Sequence, residues 1–371
     1  MTTLQEAPPH RVLRAGPEFR WPENKRVAIV FNIAWEAWSD GVAPPIGPMG
    51  NVLKPGYFDT NAHSWASYGA VRGLARLLRI ADANNVRTSV MSSGVLCARR
   101  PNDVADMVRR GHEIIGHSWG MDVIHLYLDE QGERDNIARN TKAIVDACGH
   151  APTGWISPRG TGSFISTHLL AHAGYVHHGD CNDDDLPAIT QFADGARIVN
   201  IPLTMDINDL PHSNRYGNIP GDFVRAFEEE LAESAKADPA PFMLDVTAHC
   251  HAYGRPNGAW TFDAMMKIAK ARNDVWIATR DEIVPRSTVD NRGGEDRLCA
   301  EELAIDLDLV VTRATVDDER VTLRGRAGEA EVQTAIVDSL IRIVVTLGQN
   351  CFGALINQLP APPTTPVPSA V

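Results

Sequence analysis

The chain has 371 residues, 44% of them hydrophobic and 22% charged, with a formal net charge of −12. This is a globular composition with enough apolar residues for a large core, and its six scattered cysteines, without a C-x-x-C pair, suit free thiols in a reducing compartment. The acidic balance argues against a nucleic-acid partner, which needs Lys and Arg to displace phosphate counterions, and against an anionic membrane.

Residues 1–25 are rich in proline and charge, hold no apolar signal segment and read as an extended N-terminal arm, so a cytoplasmic location is expected. Short β-branched runs then alternate with amphipathic stretches, the pattern of buried parallel strands joined by helices. Strands are predicted at 26–33, 87–91, 112–117, 155–157, 175–178, 197–202, 242–249 and 275–279. Between them helices are predicted at 65–83, from Pro101, from an N-cap at Asp129 to Cys148-Gly149, at 221–235 and at 259–272. About seven to eight parallel strands suffice to close a distorted (β/α) barrel over 26–287. Residues 288–371 break the alternation and form a C-terminal extension. Two short strands are expected in 301–325, a helix in 335–356 and disorder in 359–371. The 335–356 tract is interrupted by Asp338, Arg342 and Gln349 and is not a membrane span.

In such barrels the C-terminal strand ends carry the chemistry. The polar residues that follow the predicted strands are Asn32 and Glu36, His117, Ser157 and Arg159, Asp180 and Asp183 to Asp185, Asp206 to Asp209, and His249 with His251. Together they offer a base, a cation or metal ligand and an oxyanion stabiliser. Each also has an ordinary structural reading: Glu36 as a solvated loop residue, His117 as a core histidine, Arg159 as a rim ion pair, 183–185 as a solvated turn. The stretch 206–209 is taken as structural, as is His112. His249 and His251, two apart, are expected to face opposite ways, and His249 is assigned to the lumen. The indoles of Trp35, Trp38 and Trp119 offer flat faces for a ring substrate, or core packing.

The order of these segments resembles the polysaccharide-deacetylase superfamily (NodB homology), within it the allantoinase-like branch that opens small cyclic ureides. The match runs over residues 18–285. Its segments are Phe31-Asn-Ile-Ala-Trp-Glu36, Gly111-His-Glu-Ile-Ile-Gly-His117, Gly154-Trp-Ile-Ser-Pro-Arg159, Gly179 to Pro187 with Ile201 to Asp209, and His249-Cys-His-Ala-Tyr-Gly-Arg-Pro256 with Val275-Trp276. Two departures stand out. The Asp-Asp pair of the deacetylases is replaced by Asn32 and Glu36, and the position four beyond His117 holds Met121, a thioether poorly suited to a hard ion.

The resemblance implies hydrolysis of a carbon–nitrogen bond in a small cyclic ureide or imide. Glu36 would be the base or a metal ligand, and His117 would ligate the metal or hold the water. His125 or Asp122 could supply the missing ligand, and the set taken is Glu36, His117 and His125 for a divalent metal such as zinc. Arg159 would bind the oxyanion, Asp180 and Asp184 would orient Arg159 or a ring N–H, and His249 would protonate the leaving nitrogen. The alternatives are N-deacetylation of an amino sugar or polysaccharide, and an inactive binding protein on the same scaffold. The expected partners are a small-molecule substrate and further copies of the chain in a homo-oligomer.

Overall fold

The computed structural model describes residues 6–50, 53–54 and 56–284, and the strand segments 296–298, 313–317, 320–325 and 328–333. They fall into two units, 1–299 and 300–371.

The first unit is an α/β fold on one large sheet. Its strands in chain order are β1 (His10–Leu13), β2 (Val27–Trp35), β3 (Ser89–Ser92), β4 (Glu113–Gly116), β5 (Gly154–Trp155), β6 (His177–His178), β7 (Ala188–Phe192), β8 (Arg197–Asn200), β9 (Ile207–Asn208), β10 (Phe242–His249), β11 (Val275–Ala278) and β12 (Asp296–Leu298). The pairing order is β12-β1-β7-β8-β6-β5-β4-β3-β2-β10-β9, with β11 also beside β2. From β8 to β9 all neighbours are parallel, as the sequence pattern requires. Hydrogen bonds do not close the ladder among the described residues, but the strand directions are those of the expected (β/α) barrel.

The central strand is β2, all nine residues of which are buried. A run with no polar alternation is what a strand covered on both faces needs. It pairs with β10 over Val27 to Ala34 along one edge. The other edge is shared by β11, over Val27 to Val30, and β3, over Asn32 to Trp35.

Eight α-helices flank the sheet: α1 (Thr60–Tyr68), α2 (Leu74–Ala83), α3 (Gly94–Arg99), α4 (Pro101–Arg109), α5 (Glu130–Cys148), α6 (Ser166–His172), α7 (Pro220–Ala237) and α8 (Pro256–Lys270). Phe31 of β2, Phe223 and Phe227 of α7, and Phe262 of α8 share the main core with Leu74 and Leu77 of α2. Asp129 caps α5 by accepting from the Gly132 N–H, and Gly149 ends it at φ 87°. Both ends are where the sequence places them.

The segment read as an extended N-terminal arm packs onto the sheet over its described residues. β1 adds antiparallel to β7, Phe19 and Trp21 are buried against Ala28, Val30 and Met243, and the Trp21 indole donates to the Phe242 carbonyl at 3.0 Å. Its prolines mark turns on either side of apolar anchors.

In the second unit, Arg313–Asp317, Arg320–Gly325 and Gly328–Gln333 form a three-stranded antiparallel sheet. Two strands were expected in this region; the third pairs antiparallel with the second, Gly328 opposite Gly325. The expected helix at 335–356 and the disorder expected at 359–371 lie outside the described residues.

Candidate active site

Four strand ends meet at one rim. Glu36 follows β2 directly, His117 follows β4, Asp209 follows β9 and His249 closes β10. β2 and β10 are adjacent and in parallel register, with Ala34 opposite His249, so the chain brings Glu36 and His249 together wherever it turns. After His117 the chain turns sharply at Ser118, whose φ is +60°. Asn140 of α5 holds this strained residue by donating to its carbonyl at 2.8 Å, and Asn136 by donating to its hydroxyl at 2.8 Å. Backbone strain held in this way is common at ligand-binding and catalytic positions.

Glu36 is the hub. Its Oε1 lies 3.4 Å from His117 Nε2 and 3.5 Å from His249 Nε2, and its Oε2 lies 3.9 Å from His251 Nε2. All four residues are at most 6% exposed. His117 Nδ1 sits 2.5 Å from the Ile156 carbonyl, so it carries the proton it donates there and turns Nε2 toward Glu36. His249 Nδ1 is 2.6 Å from Asp209 Oδ1, while Asp209 Oδ2 accepts from the backbone N–H groups of His249 and Tyr253.

Burial opposes the charge of both Glu36 and His249. The His249 imidazolium, the hydrogen bonds from His117 and His249, and nearby His251 nevertheless hold the Glu36 carboxyl well below the usual carboxylate range. In the same way Glu36 and Asp209 outweigh burial at His249 and push it up to about 10. His251 goes the other way: burial lowers it to about 4, against the attraction of Glu36. At neutral pH the rim therefore holds a carboxylate, an imidazolium and a neutral imidazole, a base and an acid side by side. The Trp65 and Trp38 rings stand edge-on to His251 at 4.5 and 6.0 Å between centroids.

Several expected site residues lie elsewhere. Both His249 and His251 face Glu36, so the expectation that only one could do so was mistaken; even on a strand, residues two apart share a face. Trp35, adjacent to Glu36 and so on the opposite face, is fully buried in the main core. Trp119 packs against that core with the Arg139 guanidinium 3.5 Å over its ring. Neither indole is open to a ligand. Asp184 pairs with Arg14 of the N-terminal segment at 2.7 Å, and Asp183 does so at 2.6 Å. Neither orients Arg159, which is exposed, has φ +66° and makes no side-chain hydrogen bond or ion pair among the described residues. Asp180 accepts from the Ser157 N–H at 2.7 Å and so braces the β5 end.

His125 does not join Glu36 and His117. It is fully buried and stacked on Trp155. Its Nδ1 meets Ser166 Oγ at 3.0 Å and Glu133 at 3.3 Å, and its Nε2 accepts from Asn136 at 2.8 Å. Burial lowers this ring to about 4. Both nitrogens are engaged, so the ligand set of Glu36, His117 and His125 is not assembled. Nor does the rest of the rim fit a three-ligand ion site. Glu36 Oε1 lies between the His117 and His249 imidazoles, and among the described residues their ligand atoms do not form a set converging within 4.8 Å.

Sequence reasoning missed Asp209 and His251. Asp209 carries the signal used for the others, a polar residue at the end of a strand run, but was set aside as structural. His251 lies in the turn just beyond β10, where no strand period places it. Its exact placement depends on packing. A Cβ on Gly73 would come 1.9 Å from the Cys250 carbonyl oxygen, and one on Gly254 2.1 Å from it. Gly73 lets the helical segment that follows Trp65 press onto the turn carrying His251, and Gly254 lets that turn close on itself.

Residues 59–177 match the family model described as polysaccharide deacetylase. The chain is 25% identical to a solved allantoinase, Puue, over 72% of this chain and 91% of that one, with a TM-score of 0.64. It is also 25% identical to a structure from Pseudomonas aeruginosa PAO1 described as a probable polysaccharide deacetylase, over 72% and 92% of the two chains, with a TM-score of 0.63. A Schizosaccharomyces pombe protein provisionally named a polysaccharide deacetylase is 23% identical over 299 residues, 71% of this chain and 90% of that protein.

Proposed function

We propose that the chain is a hydrolase similar to the polysaccharide deacetylases, and that it hydrolyses a ring carbon–nitrogen bond in a small cyclic ureide or imide, with allantoin as the first candidate. The observation that carries this reading is the buried Glu36 carboxylate set among three imidazoles, one of them backed by Asp209. The low exposure of every rim group suits a small ligand that can be enclosed; a polymer needs an open groove. The Puue allantoinase likeness supports the same substrate class.

In the proposed reaction a water between Glu36 and His117 gives one proton to the Glu36 carboxylate as its oxygen attacks the ring carbonyl. His117 Nε2, beside Glu36 Oε1, would hold this water and so fix the attack direction. The His249 imidazolium faces the developing negative charge, then passes its Nε2 proton to the departing ring nitrogen. Asp209 keeps the His249 tautomer and orientation throughout, as a carboxylate does for a catalytic imidazole. Ring opening leaves a carboxylate and a urea or amide on one product. The mechanism needs no metal, since acid and base are both in place.

Purified protein is incubated with allantoin, succinimide and N-acetylglucosamine oligomers, each with and without EDTA. Ring opening that survives EDTA is the expected result. Acetate release from the oligomers with intact cyclic compounds would replace this reading with a deacetylase. Binding of a cyclic compound without turnover would make the chain a binding protein.

A further inference from the structure

A second histidine–carboxylate group lies apart from the rim, on the outer surface. His168 and His172 are one helical turn apart on α6 and therefore on one face. Asp194 comes to them from the β7–β8 hairpin turn, where Gly195 takes φ +92°. His168 Nε2 and His172 Nε2 are 2.7 and 2.8 Å from the same Asp194 oxygen, and 3.0 Å from each other. We propose that His168, His172 and Asp194 form a surface site for a borderline divalent transition metal, zinc above all, that ties α6 to the β7–β8 hairpin.

Three features support this. The first is donor convergence: the three ligand atoms lie within 4.8 Å of one another. Tetrahedral zinc, with bonds of about 2.0–2.1 Å, separates its ligand atoms by roughly 3.3 Å, so this triangle has to open by only a few tenths of an ångström. The second is orientation. The other Asp194 oxygen accepts the Ala196 N–H at 3.0 Å, and the His168 ring stands edge-on to Phe192 at 4.7 Å. The carboxylate and one imidazole are thus held in place before any ion arrives, as good metal sites require. The third is chemistry. Two imidazoles and one carboxylate make a three-ligand set for zinc, with water at the fourth position, and the partial exposure of all three residues leaves room for it. Without a cation, two ring nitrogens 3.0 Å apart compete for a single oxygen.

The test uses the full-length protein stripped with EDTA and titrated with zinc alone, by calorimetry and by thermal melting. Asp194→Asn and the double variant His168→Gln/His172→Gln serve as comparisons. Cysteines and the Glu36 rim are the same in all three proteins, so the difference isolates this site. The wild type is expected to bind one more zinc than either variant, or to bind it more tightly by over about 10–100-fold, the loss typical of even an outer partner of a metal ligand. Zinc is also expected to raise the melting temperature of the wild type alone. Equal stoichiometry, affinity and melting shift in all three proteins would overturn the proposal, and so would a wild type that binds no zinc.

Discussion

Glu36 and Asp245 are both buried carboxylates on the β2–β10 pair, yet they are used in opposite ways. Asp245 is saturated. Arg280, itself fully buried, reaches its two oxygens at 2.7 and 2.8 Å, Asn32 donates at 2.5 Å and the Thr204 N–H at 3.0 Å. Glu36 has the charge around it but no short bond: its contacts run from 3.4 to 3.9 Å. Buried charge that is closely paired holds strands together. Buried charge left at arm's length can take a proton from something that enters. Asn32 of β2 is itself part of the saturated group and serves the scaffold.

The comparison can be broken by mutation. Glu36→Gln should lower kcat/KM by about 10²–10⁴-fold, the range of general acid–base catalysis, with an unchanged melting temperature; steady-state kinetics beside a thermal melt decide it. Arg280→Met should do the reverse. Leaving Asp245 buried and unpaired should cost about 3–5 kcal/mol of stability, read by urea denaturation, while the folded fraction keeps its turnover. If Arg280→Met leaves stability intact and abolishes activity, the division between the two carboxylates is wrong. A smaller effect is expected at the wall. Trp65→Ala removes the ring packed on His251 and should raise KM more than it lowers kcat, because it loosens binding without touching base or acid.

Much of this architecture was legible because strands covered on both faces announce themselves. The run 242–249 was predicted with the ends that β10 has, and Glu36, His117 and His249 were found because each is a polar residue ending an apolar run. What was hidden has a physical cause in each case. β5, β6 and β9 are two residues long and carry no period. The Asp184–Arg14 pair joins residues 170 apart, which no local pattern reveals. The Trp35 indole looked available beside Glu36, although adjacent strand residues point to opposite faces. His168 and His172 lie 22 residues or more from Asp194 in sequence, and only the fold brings the three together.

The pH dependence of kcat/KM on the cyclic substrate tests the central claim most directly, that Glu36 acts as base and the Asp209-backed His249 as acid. The Glu36 carboxyl is held below its ordinary value, so the base form is present from acidic pH upward. His249 is raised to about 10, so its acid form persists below that value and is lost as pH rises through it. The wild-type profile should therefore be flat across neutrality and fall on an alkaline limb near pH 10. In Asp209→Asn one of the two carboxylates raising His249 is gone, and the limb should move toward neutral pH. An alkaline limb at the same position in wild type and Asp209→Asn would contradict the account.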